Sequence, residues 1–423
     1  MAQLTDDCFA FSGPLLPIED MERLIEQRIT SVGETEFVPL AGARARVVAQ
    51  DVRAPVDLPP FDNSAVDGYA VRHLDLKSGE STKLEVVSRV MAGSAAVSAL
   101  GKGEAARIFT GAPMPRGADT VFMQEDVQAE GDEVTVPSGL KAGANRRFAG
   151  EDVRTGSVAL PAGRVLDVQH IALAAALGLT HVEVRRPIRV AVFSTGDELV
   201  EPGGRLSGAN IFDANRTLLR ALLDRLGCIV TDLGILRDEP EALTQAFKSA
   251  AAENDLVLTS GGVSTGDADH VKSVVESIGT LFFWRIAIKP GRPVAMGVIH
   301  GDQNLNSAFV GLPGNPVAAF ITFVRVVRPL ILRLSGALPR KLMPLPVVST
   351  FTYKKKKGRR EYVRVTLRPG ANGAYEAIKH PQDGAGILSS LTETDGLVEL
   401  PDDLTQVESG DHVGFLSYSS MIG

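Results

Sequence analysis

The chain has 423 residues, enough for about three domains, and 44% of them are hydrophobic, which supplies ample material for buried cores. A formal net charge of −7 argues against a mainly nucleic-acid-binding protein, and two distant cysteines, Cys8 and Cys228, argue against a disulfide framework, a zinc ribbon or a cysteine-ligated cluster. No basic region precedes an apolar core at the start, and the longest apolar run, IALAAALGL, is about half a membrane span, so neither a signal peptide nor a membrane helix is expected and a reducing, cytoplasmic setting fits.

In chain order, IEDMERLIEQRI (residues 18–29) has the spacing of an amphipathic helix. Residues 52–149 are rich in Gly and Pro, with short β-like runs such as KLEVVSRV and DEVTVPSG, and read as a small all-β module. It interrupts a mixed N-terminal linker domain made of residues 1–51 and 150–186, the second part holding the helical stretch DVQHIALAAALG. From 187 to 336 strands and helices alternate. IRVAVFSTGDEL leads to the helix DANRTLLRALLDRLG, with leucines at helical spacing and Gly227 as its stop. CIVTDLGIL leads to EPEALTQAFKSAAAE, with Pro240 in the first turn, and DLVLTSGG leads to DADHVKSVVESIG. AFVGLPG leads to NPVAAFITFVRVVRPLI, where Asn315 is placed to cap and Pro316 to start a helix. This alternation predicts a doubly wound α/β domain with a parallel sheet covered on both faces. Residues 337–423 carry the short runs LPVVSTF, EYVRVTLR, YEAIKH, GLVELP and DHVGFLS, which predict a compact C-terminal β domain.

Ligands collect at the carboxyl ends of strands in such sheets, where three acidic loops fall. These are STGDE with Asp197 and Glu198, LRDEP with Asp238 and Glu239, and SGGVSTGDAD with Asp267 and Asp269. In the last, backbone N–H groups at Gly261 and Gly262 beside a helix start form an anion-binding concavity, to which Ser260, Ser264 and Thr265 add donors. Carboxylates belong on such a cradle if a divalent cation lies between them and a phosphate; helix capping is the competing reading. In RIAIKPGRP, strand alternation puts Arg285 and Lys289 on one face, and the Pro290-Gly291 turn brings Arg292 back to the same mouth, unless the segment is a solvated basic edge. LPGNP (312–316) is weak as an anion site by itself. GRREYVR adds Arg359 and Arg360, the preceding KKKK reads as a solvated hairpin tip, and His270 carries no role.

Taken together, PPFDNSAVDGYAV, RIFTGAPMPRGADTVFMQED, GEDV, STGDEL, SGGVSTGDAD, IKPGRP, GLPGNP and GRREYVR, in this order across nearly the whole chain, resemble the molybdopterin molybdenumtransferases, the MoeA family, to which the E domain of gephyrin also belongs. The resemblance implies an elongated four-part homodimer whose central module is MogA-like, and insertion of molybdate into adenylylated molybdopterin with Mg²⁺-dependent release of AMP. It implies that Asp269 acts in cleavage of the adenylate, with Asp238 beside it on metal or substrate, and that Glu198 and Asp152 are further functional acids. Ser264 and the Gly261-Gly262 backbone become substrate contacts, Lys289 and Arg292 receive molybdate, and Arg359 with Ser389 or Ser390 lies on its other side. Thr110, Asp62, Ser64 and Asp67 become contributions of the β module, from the same chain or from the partner subunit. The molybdopterin adenylyltransferase and molybdoenzyme delivery proteins are the implied partners. Many relatives have GEAD where this chain has GDAD, which shortens the reach of Asp267, and lysine where Arg292 stands, which changes how an oxyanion is held. A decayed gephyrin-like scaffold and a tungstate-selective transferase are the rival readings; an adenylyltransferase or pyrophosphatase on the same module lacks the FDNSAVDGY and IFTGAP segments.

Overall fold

The computed structural model describes residues 4–11, 15–94, 99–237, 239–261, 270–291, 293–301, 306–371 and 373–422. Its centre is a six-stranded sheet in the order Ile229–Leu236, Arg189–Thr195, Leu256–Ser260, Ser307–Leu312, Pro293–Ile299, Gly279–Arg285. The first four strands are parallel, as the alternating pattern predicts, but the last two pair antiparallel, so the sheet is mixed. Side-chain alternation divides each parallel strand between two cores. Val190, Val192, Leu256, Leu258 and Val310 face one way, packing with Leu219, Leu222 and Leu223 of the helix Ala214–Arg225. Ala191, Phe193, Val257 and Phe309 face the other, against Leu243 and Phe247 of the helix Pro240–Glu253 and Val271, Val274 and Val275 of the helix His270–Ile278. Both faces are thus covered, which a strand apolar on both sides requires.

The expected helix after LPGNP is interrupted. Pro316–Thr322 and Arg328–Leu334 are α-helical, and Phe323–Val327 between them is a wider π turn. Pro316 does open it, but the Asn315 side chain makes no capping bond. The N-terminal helix Ile18–Arg28 buries Ile18, Met21, Leu24 and Ile25 in the same core as Leu330 and Leu334. Ahead of it the chain is pinned where Trp284, fully buried, donates its indole N–H to the Phe9 carbonyl at 2.8 Å.

Strand Thr35–Pro39 pairs antiparallel with His181–Arg185, so the chain returns to the same place after the long β-rich excursion between them. That excursion contains a six-stranded sheet ordered Thr120–Met123, Gly68–Val71, Glu104–Ile108, Thr82–Val90, Glu133–Val136, Gln128–Glu130. The helix Val168–Ala176 follows, opened by a reciprocal cap between Asp167 and His170. In the C-terminal part, Arg360–Pro369, Tyr375–Lys379, Leu345–Ser349, His412–Ser417 and Gly396–Leu400 pair in turn, and the last returns to the first, closing a barrel. The KKKK tip is not simply solvated: Lys355 is buried, and its ammonium donates to the carbonyls of Pro401 and Leu404, each at 2.7 Å.

At the amino ends of the central strands, Asp255 accepts a two-pronged bond from Arg186 at 2.7 and 2.8 Å and another from the Arg189 amide at 2.9 Å. Both side chains are nearly inaccessible. Removing one partner leaves a buried charge without its counterion, so we expect Asp255→Ala to lower stability by ~3–5 kcal/mol, measured as the shift of the urea midpoint and slope.

Candidate functional site

The carboxyl ends of Arg189–Thr195, Leu256–Ser260 and Ser307–Leu312 lie side by side, with Ser194, Ser260 and Leu312 in register. At Gly261 the chain passes so close to its neighbour that a Cβ would sit 3.1 Å from the Thr195 carbonyl, and φ is +91°, a combination only glycine meets without strain. The Gly261 amide donates to the Leu312 carbonyl at 3.1 Å. Asn215, from the first turn of its helix, laces the mouth together: its amide donates to Ser260 Oγ at 2.8 Å and the Gly314 carbonyl at 2.6 Å. The buried hydroxyls of Ser194 and Thr259 have no hydrogen-bond partner among the described residues.

The acids at this end divide into two kinds. Asp197 and Glu198 are exposed, in the turn after Thr195, with no ion pair among the described residues. Glu201, Asp213 and Asp232 are instead consumed by Arg216, a nearly buried guanidinium that binds all three. Partial burial raises the pKa of Asp232, but the Gly234 amide and then the Arg216 guanidinium keep it below the usual carboxylate range. Nothing in the local spacing marks Arg216 as this hub. Glu239 is exposed, at the start of Pro240–Glu253, 3.9 Å from Arg237. Asp238, Gly262, Ser264, Asp267, Asp269 and Arg292 lie outside the described residues.

The expected single strand through RIAIKP is split. Arg285 ends a strand of the central sheet opposite Pro293, whereas Ile288–Lys289 pairs in parallel with Arg360–Glu361 of the C-terminal barrel. The break comes from residues distant in sequence: Leu16 donates to the Arg285 carbonyl and accepts from the Ala287 amide, both at 2.9 Å. Arg285 and Lys289 are both exposed, and no shared strand face places them together.

The partner of Lys289 is Glu361, which the sequence reading missed. This carboxylate is 1% exposed, and it lies 3.3 Å from Lys289 Nζ, accepts from Arg359 Nε at 2.6 Å and accepts from the Tyr353 hydroxyl at 2.8 Å. Lys289 also donates to the Tyr353 oxygen at 3.1 Å. Burial pulls the ammonium's pKa down, but the Tyr353 and Glu361 contacts outweigh it, so the net direction is up and the charge is retained. The adjacent Gly291 is wedged against the Pro316–Thr322 helix, where a Cβ would meet Thr322 Oγ1 at 2.4 Å. The same helix start receives the C-terminal barrel, because the Val317 amide donates to the Ala385 carbonyl at 3.0 Å. The 385–390 loop and Gly291, two residues after Lys289, therefore both pack on the helix that the GLPGNP turn opens. In that loop Ser389 is exposed, whereas Ser390 is buried with its hydroxyl occupied by Arg364 at 2.9 Å and by the Ile387 carbonyl. The Ser390 hydroxyl is thus internal, and of the two serines only Ser389 is exposed. Arg360, likewise, is turned to Glu19 and Glu399.

A second cluster forms in the β module. Asp67 accepts from both the amide and the hydroxyl of Thr110, at 2.8 and 2.7 Å, and these bonds hold its pKa below the usual range. Asp62 is bound by Arg146 and by the Ala149 amide at 2.8 Å, while Ser64, fully buried, donates to the Val66 carbonyl at 2.6 Å. FDNSAVDGY and IFTGAP are thus brought together, but the hydrogen bonds of Asp62, Ser64, Asp67 and Thr110 all return to residues 62–149 and none links them to Lys289. Asp152 is exposed, in the turn held by Leu58.

Comparison with known proteins follows the same order of parts. The MoeA N-terminal region (domain I and II) matches residues 16–178, a probable molybdopterin binding domain matches 191–333, and the MoeA C-terminal region (domain IV) matches 346–418. A protein of Haemophilus influenzae named molybdopterin molybdenumtransferase is 38% identical over 411 residues, 97% of this chain and 100% of that one. One of the same name from a Nostoc species is 37% identical, covering 95% of this chain and 93% of its own length. The crystal structure of the molybdopterin biosynthesis MoeA protein from Pyrococcus horikoshii OT3 matches with a TM-score of 0.78 at 31% identity, over 96% of this chain and 100% of that chain. With its regions matched in order and relatives aligned from end to end, the chain belongs to the MoeA family.

Proposed function

We propose that this protein is a molybdopterin molybdenumtransferase, which inserts molybdate into adenylylated molybdopterin and releases AMP. The observation that carries this is the exposed ammonium of Lys289, fixed by Glu361 and Tyr353 two residues before Gly291, which packs on the helix that follows the central strand Ser307–Leu312. A fixed cation next to an amide cradle suits two oxyanions held side by side, a tetrahedral molybdate and the bridging pyrophosphate of the nucleotide. Gly261 lets the backbone approach the phosphates, Lys289 and Arg359 orient the molybdate, and Glu198 is free for proton transfer at the mouth. In the reaction, water adds to the adenylyl phosphorus, the bridging P–O bond breaks and AMP leaves; the two pterin sulfurs bond to molybdenum as one Mo–O bond breaks, and that oxygen leaves as water with the two thiol protons. Asp269, with Asp238, is assigned to that cleavage on the family pattern.

Among the described residues no group of three or more His, Cys, Asp and Glu converges as a metal cage. Mg²⁺ needs only one or two carboxylates plus phosphate oxygens, and the acids and hydroxyls of these loops are all hard oxygen donors, so they fit it. Asp238 and Asp269 would hold the ion, which when bound neutralises charge on the breaking bridge.

The same reading makes the working unit a homodimer. In the Asp67–Thr110 pair Thr110 is exposed and Asp67 half-buried, and both are bonded only within their own module, so the pair is available to complete the crevice of a second copy. A cytoplasmic location fits two free cysteines, and among the described residues no helix is long and apolar enough to cross a membrane. The exposed Glu198 and fixed Lys289 weigh against a decayed scaffold.

Purified protein given adenylylated molybdopterin, Mg²⁺ and molybdate should release AMP only when molybdate is present; AMP release indifferent to molybdate, or none at all, rejects the transferase reading. Running tungstate in parallel decides the preferred oxyanion. We expect Lys289→Ala to raise the molybdate requirement roughly 10–100-fold with little change in nucleotide affinity; the reverse pattern would put Lys289 at the phosphates. Asp269→Asn should bind the adenylate but cleave it about 10²–10⁴-fold more slowly, read by single-turnover AMP release.

Glu361 gives a pH signature. Burial raises its pKa, but the bonds from Tyr353 and Arg359 and the charge of Lys289 bring it below the ordinary 4.5. Its contribution to stability is therefore complete above 4.5 and fades as pH falls through the lower folded value. Between about pH 5 and pH 3 the denaturation midpoint of Glu361→Gln should fall less steeply than that of the parent protein; parallel profiles would refute this.

A further inference from the structure

The end of the central sheet opposite the crevice also gathers cations. There the chain lines a cavity of about 910 Å³ between the loop 44–47, the turn and helix start 163–170, and the end of Arg328–Leu334 with the segment after it. Ile188 and Cys228, immediately before the strands Arg189–Thr195 and Ile229–Leu236, lie in its wall. Those are amino ends, so the cavity is separate from the strand ends where open α/β sheets ordinarily hold ligands. Its size is that of a small-molecule pocket.

Its charge is one-sided. Eight arginines line it against two carboxylates, Asp167 and Asp224. Part of this is neutralised elsewhere, since Arg186 is bound by Asp255 and Glu34, and Arg46 by Glu36. Asp167 is itself occupied in capping its helix. Arg44, Arg164 and Arg225 are exposed and have no ion pair among the described residues.

The most informative member is Arg328. It is only 4% exposed, its Nε has no hydrogen-bond partner among the described residues, and one terminal nitrogen reaches the Arg340 carbonyl at 3.4 Å. Burying a guanidinium with an idle donor is costly unless something supplies the acceptor. Burial, then Arg340 and Arg325, push its pKa down to about 10. His170 in the same lining is pushed down as well, first by burial and then by Arg164. For both groups burial comes first and neighbouring arginines add to it, outweighing the opposing charge of Glu22 on Arg328 and of Asp167 on His170.

We propose that this cavity is a second anion site, taking a small molecule that carries a di- or triphosphate, with Arg328 as the buried contact and Arg44 and Arg164 at the mouth. Guanidinium forks match phosphate oxygens in pairs. Apolar neighbours such as Leu226 and Leu332 suit an uncharged ring on the same ligand.

Inorganic pyrophosphate is the probe, titrated by calorimetry into the full-length protein, the double variant Arg44→Ser/Arg164→Ser and Arg328→Met. We expect a binding event that weakens roughly tenfold or more in the double variant, whose exposed positions spare the fold. Arg328→Met should melt no earlier than the parent without pyrophosphate, and pyrophosphate should raise its melting temperature less than the parent's. The proposal is overturned if pyrophosphate does not bind, or if its binding is indifferent to the arginine substitutions.

Discussion

The buried carboxylate of Glu361 organises the candidate site, because three donors from two parts of the chain converge on it. Lys289 comes from the segment leaving the central sheet, whereas Tyr353 and Arg359 come from the barrel. A charge with 1% of its side chain exposed is tolerated only when its lone pairs are satisfied and a counter-charge is near, and both conditions hold here. The short parallel pairing of Ile288–Lys289 with Arg360–Glu361 thus fixes the sheet-to-barrel orientation and aims the ammonium together. Without that joint, an exposed lysine would sample many rotamers and present no defined cation to an oxyanion.

The central module was legible in the sequence because its signals are local. Alternating apolar runs such as RVAVFST bury successive residues in opposite cores, and Gly227 and Pro240 punctuate helices where chain chemistry demands it. The misses are cases where a partner far along the chain decides the outcome. RIAIKP reads as one extended strand until Leu16 pairs with its middle and Arg360 with its end. Lys355 reads as one more solvated lysine until the carbonyls of Pro401 and Leu404 are brought over it.

The acids show the same limit from the opposite direction. Spacing places carboxylates at neighbouring strand ends but does not tell the available ones from those already neutralised. Arg216 makes that distinction by binding Glu201, Asp213 and Asp232 and leaving Glu198 at the mouth without an ion pair among the described residues. Family motifs identify the FDNSAVDGY and IFTGAP segments, and the fold supplies the reason that they travel together: Asp67 holds Thr110 by two bonds.

The π turn Phe323–Val327 has a wider bearing. It lies in the helical rod between Thr322, which touches Gly291 beside Lys289, and Arg328, which enters the arginine-lined cavity, with Arg325 bound to Glu399 of the barrel on the way. A π turn accommodates one extra residue in an α-helix. Because the wide turn absorbs that residue, the winding on either side stays in phase; an insertion or deletion not absorbed in this way would rotate everything downstream by ~100°, turning Arg328 away from its cavity while Thr322 stayed in place. The phase of a single helix therefore sets the alignment between the two ends of the sheet, and the wide turn is what lets the rod carry one more amino acid without losing that alignment.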